Sequence, residues 1–481
     1  MLLLPPTRQL PDRRDFLNGC GRGLFGLGMG ELLARQAVSA QDADPLVPRV
    51  ARRAKSCIVI FLFGGPSHID TWDMKPDAAV EYRGEFAGIA TTAPGVTLCE
   101  HLPLTAREMH HVALIRGVTI GGRGVGNGDH HADTYYMLTG NRPDRDFFIA
   151  GTFRKPYSDD FPSLSSALAS RLPAQPELPA VVQCPARSGE VTGVINPGQF
   201  GGKLGANWEP FMVRGELERP RDFQLPDLGL PADLDLPRLG RRRDLNRQLD
   251  ELLSQVDRDL ERFARFDTHQ RRAFDLLTSN RARAAFDLSQ ESEATRRRYG
   301  NDLNGQSVLL ARRLVEAGVP SVAVHWVGRR VGAGLSWDTH SDNFGQLKNV
   351  LLPAFDACYS ALLEDLHDRG LLDETLVVVC TEMGRTPKVG DPRTGGNGPP
   401  GRDHWDHCMA ALMAGGGVRG GLIHGASDKI AAYPTGTPVL PEDLAQTVFR
   451  AMGIESRQLA HVEPDGRRIS LVADGEPLPV F

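Results

Sequence analysis

Cysteine is scarce in this chain and carries no pattern. Its 481 residues include 7 cysteines, with no C-x-x-C pair and no zinc-knuckle spacing. Cys57 and Cys380 sit in apolar, strand-like runs and read as small buried hydrophobes. Neither a redox dithiol nor a disulfide framework is expected. Long apolar runs are missing too: nothing after the N-terminal region reaches 18 residues, so no stable membrane span is expected. Positive charge is not in excess. Lys and Arg total 55 against 60 Asp and Glu, a net charge of -5, which gives no electrostatic case for a nucleic-acid partner. H-E-x-x-H is absent, which argues against a metallopeptidase. What is present, 41% hydrophobic and 24% charged residues with scattered Gly and Pro, suits a large α/β core with many loops.

The first residues carry an export pattern. Arg13-Arg14-Asp15-Phe16-Leu17 precedes a glycine-rich, weakly apolar run from Gly19 to Ala34, and Val38-Ser39-Ala40 is a small-x-small cleavage site. That order is the layout of a twin-arginine signal peptide spanning residues 1–40. It predicts the twin-arginine translocase as a partner, export in folded form, and a periplasmic or extracellular location.

In the mature chain, buried strands end at ionisable clusters. Ser56 to Phe63 is a continuous apolar run, as expected of a strand buried on both faces. It breaks into Gly64-Gly65-Pro66-Ser67-His68-Ile69-Asp70-Thr71-Trp72-Asp73, where Asp70 and Asp73 either supply a metal carboxylate or cap an Asx-type turn. A glycine-rich stretch, Gly121 to Gly128, leads to Asp129-His130-His131-Ala132-Asp133 on the first turn of an expected helix ending at Gly140. Ser307 to Ala317, stopped by Gly318, and the strand Pro320 to Trp326 form half of a crossover unit. Asp338 and His340 follow on the next loop. A long helix, Asn343 to Arg369, then feeds the strand Leu376 to Cys380, which stops at Glu382. The loop after it brings Asp403, His404, Asp406 and His407. Carboxylates and imidazoles together suit zinc, manganese or iron.

From about Glu216 the composition changes. Leu245, Leu249, Leu252, Val256, Leu260 and Phe263 are spaced 4, 3, 4, 4 and 3, an amphipathic stripe. Residues 216–300 read as a helical insertion in an α/β core made of residues 41–215 and 301–481. In a doubly wound, mostly parallel sheet, the ends of successive strands meet at one edge. One metal site there explains four separate clusters, Asp70/Asp73, Asp129 to Asp133, Asp338/His340 and Glu382 with His404. Two divalent ions in such a site would clamp the attacking and leaving oxygens of an ester displacement.

Six stretches give a family resemblance: Gly64 to Asp73, Tyr135-Tyr136-Met137-Leu138-Thr139-Gly140, Tyr299-Gly300 leading to Ala311 to Val319, Trp337-Asp338-Thr339-His340, Thr381-Glu382-Met383-Gly384-Arg385-Thr386-Pro387, and Gly401-Arg402-Asp403-His404-Trp405. The chain resembles the alkaline phosphatase and sulfatase superfamily, and within it the twin-arginine-exported domain-of-unknown-function 1501 family. The resemblance implies an alkaline-phosphatase-like fold and a hydrolase of sulfate or phosphate esters, with a small-molecule or glycan ester as substrate. It implies two divalent ions, drawn from zinc, manganese and calcium. One is held by Asp338, His340 and His404, the other by Asp70 and Glu382. The chain departs from the pattern where Glu382-Met383 stands in place of Asp-His. It departs again at the nucleophile, because counting back from Gly140 lands on His130, and no Ser, Thr or Cys lies between Gly126 and Asp133. His130 is left as a ligand, a base for metal-activated water or an unusual nucleophile, with His131 or Arg385 expected to neutralise the anion. The alternative is an exported module that binds a metal and an anionic glycan through a degenerate site.

Overall fold

Alternate residues of one strand serve two different cores, and this sets the architecture. In the computed structural model, Ile58 and Ile60 pack into one hydrophobic cluster while Cys57, Val59 and Phe61 pack into another, all of them buried. Successive side chains of a strand point to opposite faces, so β1 (Ser56–Phe61) must lie between two apolar layers. The described residues are 52–121, 128–173, 175, 177–189, 193–224, 279–328, 337–390, 399–456, 459–462 and 466–481.

The strands of the main sheet, numbered in chain order, continue with β2 (Val112–Val118), β3 (Val181–Cys184), β4 (Phe211–Met212), β5 (Ser321–His325), β6 (Thr375–Cys380), β7 (Met409–Ala414) and β8 (Ile423–His424). They form an 8-stranded sheet in the order β8-β2-β7-β6-β1-β5-β3-β4. Pairing is parallel from β6 through β1, β5 and β3 to β4, while β7 runs antiparallel to both β6 and β2. The sheet is therefore mostly parallel and α/β, with β7 the reversed strand. The register places Phe61 level with Cys380 and His325, so the chain leaves β1, β6 and β5 at the same edge.

Helices cover both faces. α1 (Pro103–Glu108), α3 (Leu303–Ala317) and α4 (Leu352–Asp368) send Ala106, Leu309, Leu314, Leu362 and Leu366 into the first cluster. α2 (His130–Thr139) and α5 (Pro441–Ala451) send Tyr136, Met137, Leu444 and Val448 into the second. Gly318 ends α3 in the left-handed conformation at φ 104°, as the sequence predicts. The long helix expected from Asn343 to Arg369 is interrupted by a π-helical stretch, Leu347–Leu351, just before α4.

The signal-peptide region and the stripe from Leu245 to Phe263 lie outside the described residues. At the N-terminal end of the expected insertion, Arg219–Gln224 pairs with Arg214–Glu216 as an antiparallel ribbon. At the other end, Glu291 accepts hydrogen bonds from the fully buried Arg312 of α3 (2.6 Å) and from Arg313 (2.5 Å). Among the described residues, no helix is long and apolar enough to cross a membrane.

Candidate metal centre

The loops leaving the carboxyl ends of β1, β5 and β6 converge, and glycines make the approach possible. Gly65 has φ +73°, and a Cβ there would stand 2.8 Å from Met383 Cγ, so only glycine fits under the β6 loop. A Cβ on Gly401 would stand 2.1 Å from the His340 carbonyl oxygen, which presses the 401–404 segment against the Asp338/His340 loop. His404 is then fixed by a short antiparallel pairing of Gly384–Arg385 with His404–Trp405. His130 arrives on the first turn of α2, whose N-cap Asp129 accepts the His131 amide at 2.7 Å.

Three imidazoles surround one carboxylate oxygen. Asp338 Oδ1 lies 2.9 Å from His340 Nε2, 3.1 Å from His404 Nε2 and 3.6 Å from His130 Nε2. In each ring the other nitrogen is tethered. His130 Nδ1 donates to Glu382 Oε1 at 2.7 Å, His340 Nδ1 to Asp403 Oδ1 at 2.6 Å, and His404 Nδ1 to the Gly128 carbonyl at 2.7 Å. Those oxygens accept only, so each Nδ1 carries a proton, and a divalent ion taken up by the cluster would be met by the Nε2 atoms. This is how proteins orient metal-ligating histidines.

His130, Asp338 and His404 fit a divalent ion, with His340 adjoining them through Asp338. Donor atoms of His130, Asp338 and His404 all lie within 4.8 Å of one another. An ion with bonds of about 2.0–2.2 Å separates adjacent donors by about 3–3.5 Å, close to the 2.9, 3.1 and 3.6 Å observed. The electrostatics also call for a cation. Burial works against a charge on His130, yet its hydrogen bonds and charge contacts with Asp338 and Glu382 raise its pKa to about 10. Burial likewise opposes charge on Asp338, but Arg385 and the three imidazoles hold its carboxyl well below the usual range. His404 is shifted down, chiefly by burial.

The other expected site residues sit elsewhere or do other work. The structure does not bring Asp70 to this cluster. Fully buried, it accepts from Arg402 Nε at 2.7 Å and Nη2 at 2.8 Å, from Ser67 at 2.6 Å and from Asn343 at 2.8 Å. Glu382 stands beside the cluster, accepting the Gly64 amide at 2.6 Å, the Thr381 hydroxyl at 3.1 Å and His130. The expected second-ion ligands Asp70 and Glu382 thus both take their hydrogen bonds from protein groups. Arg385 is fully buried and does not face an open anion pocket. It donates to the carbonyls of Gly64, Gly65 (2.8 Å) and Arg402 (3.2 Å) and to Asp338. His131 is buried as well, with an unpartnered Nε2. Asp73 pairs with Lys75 (2.9 Å) and Arg116 (3.1 Å), away from the imidazoles. Among the described residues, this edge carries a single group of donors close enough to share an ion.

Sequence reading missed the part played by Arg402 and Asn343. A buried arginine that neutralises Asp70 leaves no periodic signal, although it lies inside the Gly401 to Trp405 stretch. Asp133, on the first turn of α2, is also buried, and neither of its oxygens has a hydrogen-bond partner.

Residues 54–480 match the family described as "Protein of unknown function (DUF1501)". The chain belongs to this family. No curated protein sequence matches it significantly. Solved structures with some similarity include a sulfatase from Pseudoalteromonas sp., 12% identical, covering 88% of this chain and 72% of that one with a TM-score of 0.35. Another is the alkaline phosphatase from the Antarctic bacterium TAB5, 11% identical, covering 83% and 99% with a TM-score of 0.34. A third, a protein in complex with a neocarrahexaose, is 12% identical over 84% and 74% with a TM-score of 0.39. None of these similarities reaches the level at which a shared activity follows from it.

Proposed function

We propose that this member of the family is a metal-dependent hydrolase of sulfate or phosphate esters, acting on a small-molecule or glycan ester. The observation that carries the reading is the convergence of His130, His340 and His404 Nε2 on Asp338 Oδ1. These four residues would hold one divalent ion. An imidazole-rich set suits zinc or manganese better than calcium, which takes oxygen ligands. A divalent ion bound there supplies Lewis acidity toward an ester oxygen and lowers the pKa of water. Glu382, Asp403 and the Gly128 carbonyl fix the ligand rings. Arg385 is a positioning residue that ties the Gly64-Gly65 turn to Asp338. Among the described residues, the ligands His130, Asp338, His340 and His404 and their neighbour Glu382 offer no hydroxyl or thiol, and the buried Thr381 hydroxyl lies between Glu382 Oε2 (3.1 Å) and the Leu62 carbonyl (3.0 Å). Water, not a side chain, is then the nucleophile. The twin-arginine pattern at Arg13-Arg14 supports export in folded form to the periplasm or beyond, with residues 216–300 as an insertion in the core.

The test is metal analysis of the purified protein together with turnover of aryl phosphates and aryl sulfates. Bound zinc or manganese and metal-dependent release of the aryl alcohol are expected; a protein without metal and without turnover overturns the proposal. The missing hydroxyl or thiol favours a second reading, a degenerate exported module that binds anionic glycans. If His130→Ala leaves binding of a sulfated oligosaccharide intact and the wild type turns over no ester, that reading replaces the first.

A further inference from the structure

The geometry points to a second metal site, made by Glu108, His110, His111 and His367 at the opposite edge of the sheet. Glu108 ends α1, His110 and His111 follow in a single 3-10 turn, and Val112 then opens β2. β2 runs in the same sense as β1 and β6, because β7 is antiparallel to both β6 and β2. The turn before β2 therefore lies at the amino edge, across the sheet from the Asp338 cluster. His367 comes from the last turn of α4, whose chain returns to the same edge to begin β6.

Donor atoms of Glu108, His110 and His111 all lie within 4.8 Å of one another. The His110 and His111 rings are 4.0 Å apart between centroids, and the His111 and His367 rings 4.8 Å. His110 is oriented as a ligand is: its Nδ1 donates to the Arg107 carbonyl at 3.0 Å, with the Thr92 hydroxyl at 3.1 Å, so the Nε2 lone pair is left for a metal. His367 lies near the C-terminal end of a 17-residue helix, where the aligned peptide dipoles favour a cation. Three imidazoles and one carboxylate select a borderline transition ion such as zinc or nickel over magnesium and calcium. Glu108, His110 and His111 supply three close donors, and His367, its ring beside that of His111, would supply the fourth of a closed tetrahedral shell, which is the mark of a structural site. Its role is to clamp the α1–β2 junction to the end of α4. This inference does not depend on the hydrolase proposal.

Equilibrium dialysis of the full chain against zinc, with metal counted by mass spectrometry, tests it. His111→Gln/His367→Gln should hold one zinc equivalent fewer than wild type, while Asp338→Asn/His404→Ala should keep the equivalent at this site. Zinc at a hundred-fold excess over Kd should raise the Tm of Asp338→Asn/His404→Ala by roughly 3 °C. The rise should vanish when the His111 and His367 changes are added, and magnesium should produce none. Equal zinc content and an equal Tm rise with and without His111 and His367 overturn the proposal. So does a magnesium effect of the same size. His110→Gln, at an exposed position, is the control against misfolding: with its Tm in chelator unchanged, it should weaken zinc binding at least ten-fold. Unweakened binding there also counts against the site.

Discussion

Replacing Asp70 separates a ligand from a structural anion. The family resemblance places Asp70 among the metal ligands, whereas the structure has it buried against Arg402, with both side chains fully buried. Its two oxygens receive four hydrogen bonds at 2.6–2.8 Å, from Arg402 (twice), Ser67 and Asn343. Asp70→Ala therefore strands a buried guanidinium and leaves two more side-chain donors unpaired. Removing one partner of a buried pair destabilises by about 3–5 kcal/mol. For a folded unit matching the 54–480 span, the unfolding entropy is about 0.9 kcal/mol per kelvin, so Tm falls by roughly 3–6 °C. Metal content, measured on the folded fraction below the transition, should stay at the wild-type value. Differential scanning calorimetry and metal analysis on the same sample decide the matter. An Asp70→Ala protein that melts like wild type but has lost an equivalent of metal refutes the structural reading.

Three further outcomes follow from named contacts. Glu382→Gln removes the carboxylate that accepts from His130 Nδ1, and it should lower metal affinity about 10- to 100-fold in a chelator competition. Burial, with Asp406 and Asp129 as neighbouring charges, pushes the unpartnered Asp133 carboxyl well above the usual range. A raised folded-state value gives stability that is full below the unfolded value, about 3.9, and is lost as pH climbs toward the folded one. Asp133→Asn lacks that loss, so its Tm should gain on wild type from pH 4 to pH 7; a constant difference contradicts the assignment. Gly65→Ala places a Cβ at φ +73° and 2.8 Å from Met383 Cγ, and urea midpoints should show a loss of about 2–3 kcal/mol.

Much of the architecture is legible in local pattern. Ser56 to Phe61 and Thr375 to Cys380 are continuous apolar runs because both faces of each strand are buried, so run length alone marks them. The Gly318 stop of α3 is equally local. The reversed direction of β7 is not, since Met409 to Ala414 is as apolar as its parallel neighbours and strand sense is decided by the connections. The candidate site divides the same way. His130, Asp338, His340, Glu382 and His404 are marked by residue type at strand ends and helix starts, and the structure gathers them. Asp70 carries the same mark yet is claimed by Arg402, a choice made by two stretches far apart in the chain. Arg385 looks like an anion receptor in a list of residues. Only packing shows that the Gly64, Gly65 and Arg402 carbonyls take up its donors.

The central claim is that one ion is held by His130, His340, His404 and Asp338, and anomalous diffraction at the zinc edge from zinc-soaked crystals addresses it directly. The account predicts an anomalous peak within bonding distance of the three Nε2 atoms and an Asp338 oxygen. It also predicts that no peak lies beside Asp70. A peak bound by Asp70 and Glu382, or an empty centre among the three imidazoles, contradicts it.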